Sequence, residues 1–349
     1  MISICIIVKD EEENIKICLD NLAKLEYEII VIDTGSTDNT KSIASQYTDK
    51  VYDFKWCDDF SAARNYAIEK STKEYILMVD SDEFLVDFRK QELETLLLRN
   101  HRSVGRIHRN NIFIRNNMEY SSKEFVNRLF PKKYYLYTGK IHEQIVAFSE
   151  EEYPTYKVPL YFDHVGYNGD ESDRKKKAQR NIQMLLKSLS EDGDDPYTLY
   201  QLGKGYYFQE DSKQAADYFG RALGYDLNPK LEYVIDMVEM YGYSLINSNQ
   251  LEHALLMENI YEEFSHSADF VYMMGLIYMN CGMFQEAIRE FIKVSKYKEC
   301  KVLGVNSYLS LYNVGAIYEC IGDKEKAINY YKQCGSYKPA KDGIVRLEM

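Results

Sequence analysis

Long hydrophobic runs are missing from this chain. No apolar stretch approaches the length of a membrane span. The first residues also lack the basic start and long apolar region of a signal peptide. Ile2–Val8 is apolar but short, and it runs into Lys9-Asp10-Glu11-Glu12-Glu13. No integral membrane segment is expected. A cysteine framework is missing too: the seven cysteines are odd in number and scattered, with no Cys-x-x-Cys pair. That excludes a disulfide frame or a zinc site and fits reduced thiols in the cytoplasm. Basic charge is not in excess. The net charge is −12; residues 1–190 hold 28 Lys+Arg against 31 Asp+Glu, and residues 191–349 hold 15 against 24. A nucleic-acid partner is disfavoured. The acidic second half fits ordinary solubility, with attraction of a basic partner as the alternative. Tryptophan occurs once and tyrosine 32 times, many in the second half at helical spacing, which points to packed helical pairs.

What is present suffices for two or three domains. The chain has 349 residues, 45% of them hydrophobic. Its centre is Tyr75-Ile-Leu-Met-Val-Asp80-Ser-Asp82-Glu83. Five apolar or aromatic residues fit a strand buried on both faces of a parallel sheet. The acids then emerge at the carboxyl edge, where open α/β sheets bind ligands. On an extended segment Asp80 and Asp82 point the same way. Two convergent carboxylates suit a hard divalent cation, and such a cation suits a diphosphate. The plainer alternative is a solvated strand end supplying N-cap acids to the next helix.

Earlier residues repeat the theme. Ile2–Val8 reads as the first strand, with Asp10 as N-cap of a helix carrying Ile15, Leu19 and Leu22 on one face. Glu28–Asp33 reads as a second strand ending in an acid, followed by the turn Thr34-Gly-Ser-Thr-Asp38 and a short helix. A third strand covers 51–54. Asp59 or Ser61 caps the next helix, which carries Arg64. This is β-α-β-α-β-α-β with short links, the pattern of a doubly wound parallel sheet. After a helix around 88–98 come shorter β-like runs at 104–108, 112–114, 124–130, 134–137 and 141–148, read as hairpins or an antiparallel edge. Pro159–Phe162 reads as a strand running into a turn at Asp163-His164-Val-Gly166-Tyr167. Arg174-Lys-Lys-Lys177 opens a helix with a solvated face, and Glu191–Pro196 is a linker.

Past the linker the sequence repeats itself. Leu202-Gly203, Tyr206, Ala215, Phe219 and Ala222 match the tetratricopeptide pattern. So do Met274-Gly275, Tyr278, Ala287, Phe291 and Val294, and Val314-Gly315, Tyr318, Ala327, Tyr331 and Cys334, closed by Pro339. Tyr241-Gly242 and Ala254 form a weaker copy. The small residues let paired helices approach, and the stacked repeats imply a concave surface able to hold a peptide or protein. The helix at Lys324–Cys334 shows no polar cap, which allows a homodimer.

Asp33, Arg64, Asp80 and Asp82 would line one edge of the sheet, an arrangement suited to a nucleoside diphosphate. Asp33 would bond base or ribose, and Arg64 would neutralise phosphates as a fork donor. Asp82 would hold a metal, with Asp80 assisting from the ribose side. His164 would complete the metal shell, or else be a buried histidine satisfied by backbone.

Ile6-Ile-Val8-Lys-Asp-Glu-Glu12, Val31-Ile-Asp33-Thr-Gly-Ser36-Thr-Asp38, Asp59-Phe-Ser61-Ala-Ala-Arg64-Asn65 and Asp80-Ser-Asp82-Glu83 resemble the successive signatures of family 2 glycosyltransferases. Asn127-Arg128-Leu-Phe130, Gly139-Lys-Ile-His142-Glu143 and His164-Val-Gly166-Tyr167 resemble later motifs of its repeat-bearing branch, which includes the sublancin and glycocin peptide glycosyltransferases. The resemblance covers about 1–190, and the repeats extend it. It implies an α/β GT-A catalytic domain over 1–190 with a mostly parallel sheet, followed by an all-α tetratricopeptide-repeat solenoid over 191–349. It also implies Mg²⁺ or Mn²⁺, a nucleotide-sugar donor, by family a UDP-sugar, and inversion at the anomeric carbon. The donor would lie against Val8, Asp33, Arg64, Asp80 and Ser81, and the metal on Asp82 and His164. The family's terminal Gln-x-x-Arg-Trp is absent.

Inverting transfer needs a base near the acceptor nucleophile. Glu143 is the first candidate, with Asp163 and Glu83 behind it. The leading expectation is a cytoplasmic enzyme that glycosylates a Cys, Ser or Thr side chain held by the repeats. A lipid-linked or small-molecule acceptor, and a silent interaction scaffold, are the alternatives. A nucleotidyltransferase would need a Gly-rich basic phosphate loop after the first strand, and none is there.

Overall fold

The apolar run Ile2–Val8 is strand β1, buried along its length in a sheet whose two faces are both covered. The structure, a computed structural model, describes residues 1–115, 118–149, 152–165 and 171–349. By contacts the chain parts into two units, Met1–Arg174 and Lys175–Met349.

In the first unit β1 leads to α1 (Glu12–Leu22), β2 (Glu28–Asp33), α2 (Thr40–Ala44), β3 (Val51–Asp53), α3 (Phe60–Lys70) and β4 (Tyr75–Asp80). The expected β-α-β-α-β-α-β start is there. It continues with β5 (Glu83–Phe88), α4 (Lys90–Arg99), β6 (Val104–Arg115), β7 (Met118–Pro131), β8 (Tyr135–Thr138), β9 (Gln144–Ala147) and β10 (Thr155–His164). Eight strands form one sheet in the order β3-β2-β1-β4-β7-β6-β10-β5, and β8 pairs with β9 separately. β1 runs parallel to β2 and β4, β2 to β3, and β6 to β10, while β7 runs antiparallel to β4 and β6.

Alternation along the strands divides the core. Ile4, Ile6, Leu77 and Val79 face Leu19, Leu22, Leu93 and Phe162. Cys5, Ile30, Ile32 and Met78 face Ala67, Phe130 and Tyr137. The sheet also curls. β5 starts three residues after β4 ends, yet it is four places away in the ladder, paired with β10. Only a sheet bent back on itself satisfies both connections.

Several local expectations are corrected. Asp10 does not cap α1; it sits at φ 51, and its carboxylate accepts from the Thr37 N–H at 2.7 Å. The stretch Glu83–Phe88 is a strand, so the next helix begins at Lys90. The runs at 104–108 and 112–114 are one strand, β6. Asp59 does cap α3, accepting from the Ala62 N–H at 2.9 Å.

Helix α5 (Glu171–Asp192) contains both the contact division at 174/175 and the boundary expected at 190/191. The side chains of Arg174, Lys175 and Lys177 lie outside the described residues. Asp195 caps α6 (Pro196–Phe208), leaving only 193–195 as a link. Then come α7 (Ser212–Ala222), α8 (Glu232–Asn247), α9 (Leu251–Leu255), α10 (Tyr261–Phe264), α11 (Ala268–Asn280), α12 (Phe284–Val294), α13 (Ser310–Cys320), α14 (Lys324–Gln333) and α15 (Lys338–Glu348). The repeat glycines explain the pairing. A Cβ on Gly203 would lie 2.4 Å from the Phe219 ring, on Gly275 2.8 Å from Phe291, and on Gly315 2.6 Å from Tyr331. Each of these three repeats seats the aromatic of its second helix where the first helix has no side chain. The expectation of an uncapped helix at Lys324–Cys334 is also corrected. α15 covers α14 through Ala340 and Gly343, and Arg346 grips Glu319 with two hydrogen bonds of 2.7 and 2.8 Å.

Candidate active site

Strands β1, β2 and β4 are parallel, so Val8, Asp33 and Asp80 end on one edge. β5 reverses from that edge and β10 runs antiparallel to β5, so His164, at the end of β10, returns to it. The loops after β1 and β2 are laced together there. The Val8 carbonyl accepts from the Thr34 N–H at 2.9 Å and from its hydroxyl at 3.0 Å. The Glu11 N–H donates to Thr40 Oγ1 at 2.7 Å, and the Glu12 N–H to Asp38 at 3.1 Å.

Asp33 is 3% exposed. Its Oδ1 accepts from the Gly35 and Ser36 N–H groups at 2.9 Å each, and Gly35 turns the chain at φ +107. Its Oδ2 is buried and has no hydrogen-bond partner among the described residues. A buried unpaired carboxylate oxygen is costly, which marks this atom as one that a ligand donor would satisfy.

Asp80 and Asp82 diverge. The chain turns at Ser81-Asp82 instead of staying extended, so the alternation that would have aligned them does not apply. Asp80 takes Arg64 Nη2 on one oxygen at 2.9 Å and Arg128 Nη2 on the other. Burial opposes its charge, but Arg128 and Arg64 overcome that and hold the carboxyl well below the usual carboxylate range. The same Arg128 nitrogen donates to Glu83 at 2.9 Å, and Arg109 Nη1 donates to Glu83 at 2.8 Å. Glu83 is fully buried between these arginines and also accepts the Asp80 N–H at 3.1 Å. It is therefore a brace for the β4–β5 turn, and its candidacy as a base ends there. Asp163 is held by Asn110 Nδ2 at 3.0 Å. Ser81 is buried in the turn.

Glu143 arrives from the loop between β8 and β9. The Phe60 N–H at the start of α3 donates to the Lys140 carbonyl at 2.8 Å. Asn65 binds Tyr137 through both its main-chain N–H (2.9 Å) and carbonyl (2.8 Å). Those ties bring Glu143 onto Arg64 Nε. The Glu143 side chain is 9% exposed.

Asp82 faces elsewhere: its Oδ2 is 3.5 Å from His164 Nε2. His164 Nδ1 lies 2.8 Å from Asn111 Oδ1. Among the described residues no group of three His, Cys, Asp or Glu side chains converges as a metal cage. The Asp82–His164 pair offers two side chains, a carboxylate and an imidazole, that could hold an ion. The histidine with one nitrogen held by an amide and the other aimed at a carboxylate fits such an ion. Gly166 and Tyr167 of the distal motif lie outside the described residues. Sequence reasoning missed Arg109, Asn111 and Glu124, and it gave Arg128 no role although it quoted the motif that contains it.

The Glycosyl transferase family 2 pattern matches residues 3–149, the span that supplies every one of these groups except Asp163 and His164. Residues 3–149 are a family 2 glycosyltransferase domain. Tetratricopeptide-repeat patterns match 268–299 and 310–342, which are α11–α12 and α13–α14 with the start of α15. The chain is 26% identical over 293 residues to the SPbeta prophage-derived glycosyltransferase SunS of Bacillus subtilis, covering 78% of this chain and 65% of that protein. It is 31% identical over 229 residues to a TPR repeat-containing protein of Synechococcus elongatus, covering 62% and 54%. Over 95 residues it is 39% identical to a poly(ribitol-phosphate) beta-glucosyltransferase of Bacillus spizizenii, covering 24% and 15%. The chain thus spans between half and two thirds of the length of the first two. No helix among the described residues is long and apolar enough to cross a membrane.

Proposed function

We propose that this chain transfers a sugar from a nucleotide-sugar, a UDP-sugar by family, to a Cys, Ser or Thr side chain of a peptide or protein held by the repeats. The observation that carries the donor side is the 3.5 Å approach of Asp82 and His164 on the sheet edge where Asp33, a strand-end acid with one unpaired buried oxygen, also ends. Asp33 Oδ2 accepts an N–H of the base or a ribose hydroxyl. Arg64 and Arg128 hold Asp80 ionised and fixed, so the edge that receives ribose and phosphates is preorganised. Asp82 and His164 would hold Mg²⁺ or Mn²⁺; bound there, the ion offsets charge that builds on the departing diphosphate.

Transfer proceeds by in-line displacement with inversion. The acceptor sulfur or oxygen forms a bond to the anomeric carbon while the bond from that carbon to the diphosphate oxygen breaks. The proton leaves the acceptor for Glu143, whose Oε1 is anchored by Arg64 and whose other oxygen is the accepting one. A thiol acceptor, with an ordinary pKa of about 8.5, asks least of this base. The similarity to glycosyltransferase SunS over 78% of the chain, repeats included, supports a peptide acceptor. A polyol-phosphate polymer or other non-peptide acceptor is the second reading, on the shorter match to the beta-glucosyltransferase.

The test is a donor panel with the purified chain, Mn²⁺ or Mg²⁺, and a readout of released nucleoside diphosphate with and without EDTA. Peptide and polyol-phosphate acceptors are then compared by mass. Metal-dependent turnover of one donor, lost in Asp82→Ala with the fold intact, is the expected result. Turnover by a folded Asp82→Ala protein at the full rate overturns the ligand assignment. No turnover and no thermal shift with any donor overturns the transferase reading.

A further inference from the structure

The geometry points to Asn111 as the positioning residue that sets the tautomer of His164, and through it the affinity of the Asp82–His164 pair for a divalent cation. This inference rests on the proposed ligand role of that pair. Asn111 lies opposite His164 in the parallel register of β6 and β10, so the sheet itself brings them together. An amide can present either its oxygen or its nitrogen to an imidazole, and the two choices have opposite consequences.

Here the choice is dictated from the other side. Asn111 Nδ2 lies 2.5 Å from Glu124 Oε1, and a carboxylate there can only accept. The amide nitrogen must therefore face Glu124, and Oδ1 must face His164. Glu124 is in turn clamped by Arg109, through Nε at 2.9 Å and Nη2 at 2.8 Å. Arg109 stands directly across from Glu124 in the β6–β7 register, two residues before Asn111 and on the same face of the strand. Its third nitrogen is held by the buried Glu83.

The consequence reaches the ring. With Oδ1 as its acceptor, Nδ1 of the neutral imidazole carries the hydrogen, and Nε2 keeps its lone pair. Nε2 is the nitrogen 3.5 Å from Asp82 Oδ2. A lone pair aimed at a carboxylate is unfavourable between two protein groups alone and favourable when a cation sits between them. The Glu83–Arg109–Glu124–Asn111 series thus orients the histidine for a cation before one arrives.

The test uses the full chain, with Mn²⁺ affinity measured by electron paramagnetic resonance in the presence of uridine diphosphate. Asn111→Leu should weaken Mn²⁺ binding roughly 10–100-fold, the range for removing such an orienting partner. Glu124→Gln keeps Asn111 but no longer dictates which way its amide faces, and should weaken binding by less. The direct readout is the ¹⁵N signature of the His164 ring at pH 8 without metal, assigned by its loss in His164→Ala. Wild type should show hydrogen on Nδ1, and Asn111→Leu should move it to Nε2. Hydrogen on Nε2 in the wild-type chain overturns the inference. So does unchanged Mn²⁺ affinity in both variants while Asp82→Ala abolishes binding. If Asp82→Ala leaves binding intact, the ligand assignment itself fails, which is a separate outcome.

Discussion

Replacing Glu239 by Gln should stabilise the second unit, and only above mildly acidic pH. Glu239 lies in α8, 6% exposed, with the Ser267 hydroxyl donating to its Oε1 at 2.7 Å. Burial first, and the nearby Asp269 second, push its carboxyl up from 4.5 to about 8. The sign follows from proton binding. Between those two values the folded chain keeps a proton that the unfolded chain has released. Stability from this group is therefore full below 4.5 and is lost progressively as pH rises towards 8. At pH 7 the proton uptake costs about 3 kcal/mol, at about 1.4 kcal/mol per pH unit. Gln keeps an oxygen for Ser267 and needs no proton. Glu239→Gln should raise the midpoint of the second unit by about 6–12 °C at pH 7, with little change at pH 5. Far-UV circular dichroism follows the helices, and the single tryptophan, Trp56, reports on the first unit as an internal reference. An equal shift at both pH values, or none at pH 7, would refute the reasoning.

Other predictions test the ion-pair series and the repeats. Arg64→Leu leaves Asp80 and Glu143 without a shared partner and should cost the first unit about 3–5 kcal/mol in denaturant unfolding followed by Trp56; a loss below about 1 kcal/mol would mean that the other contacts of those carboxylates suffice. Since Asp80 is held ionised by Arg128 and Arg64, its contribution is present above the usual carboxylate range and fades as pH falls through its lowered value, so acid should weaken the first unit. Gly275→Ala places a methyl 2.8 Å from the Phe291 ring and should cost about 1–3 kcal/mol on the helical transition; an unchanged midpoint would show that the two helices separate freely.

Much of the architecture could be read from periodicity and punctuation. Ile2–Val8, Glu28–Asp33 and Tyr75–Asp80 are apolar runs too short for helices, and they are three adjacent strands. Strand β5 was missed. Glu83–Phe88 begins with an acid, and nothing local says that Glu83 is buried. Its burial depends on Arg109 and Arg128, 26 and 45 residues away in sequence. Without that strand the chain continues outward from Asp82, and the curl of the sheet cannot be foreseen. The site divides in the same way. Asp33, Asp82 and His164 sit at the ends of recognisable strands or in the turn that follows. Asn111 and Glu124 lie mid-strand in a hairpin of ordinary polar residues.

By itself, the sequence determined the elements whose cause is local: strand, helix, cap, and the recurring glycine that admits a neighbour's aromatic ring. It also determined which acids reach the sheet edge, because a strand's end is where its apolar run stops. Only the tertiary structure decided what those acids do. Asp80 and Asp82 are two residues apart, yet one is neutralised by two arginines and the other faces a histidine. That difference comes from a reversal of the chain and from partners on other strands. A carboxylate's role depends on the charges within a few ångströms of it, and those charges are set by the fold.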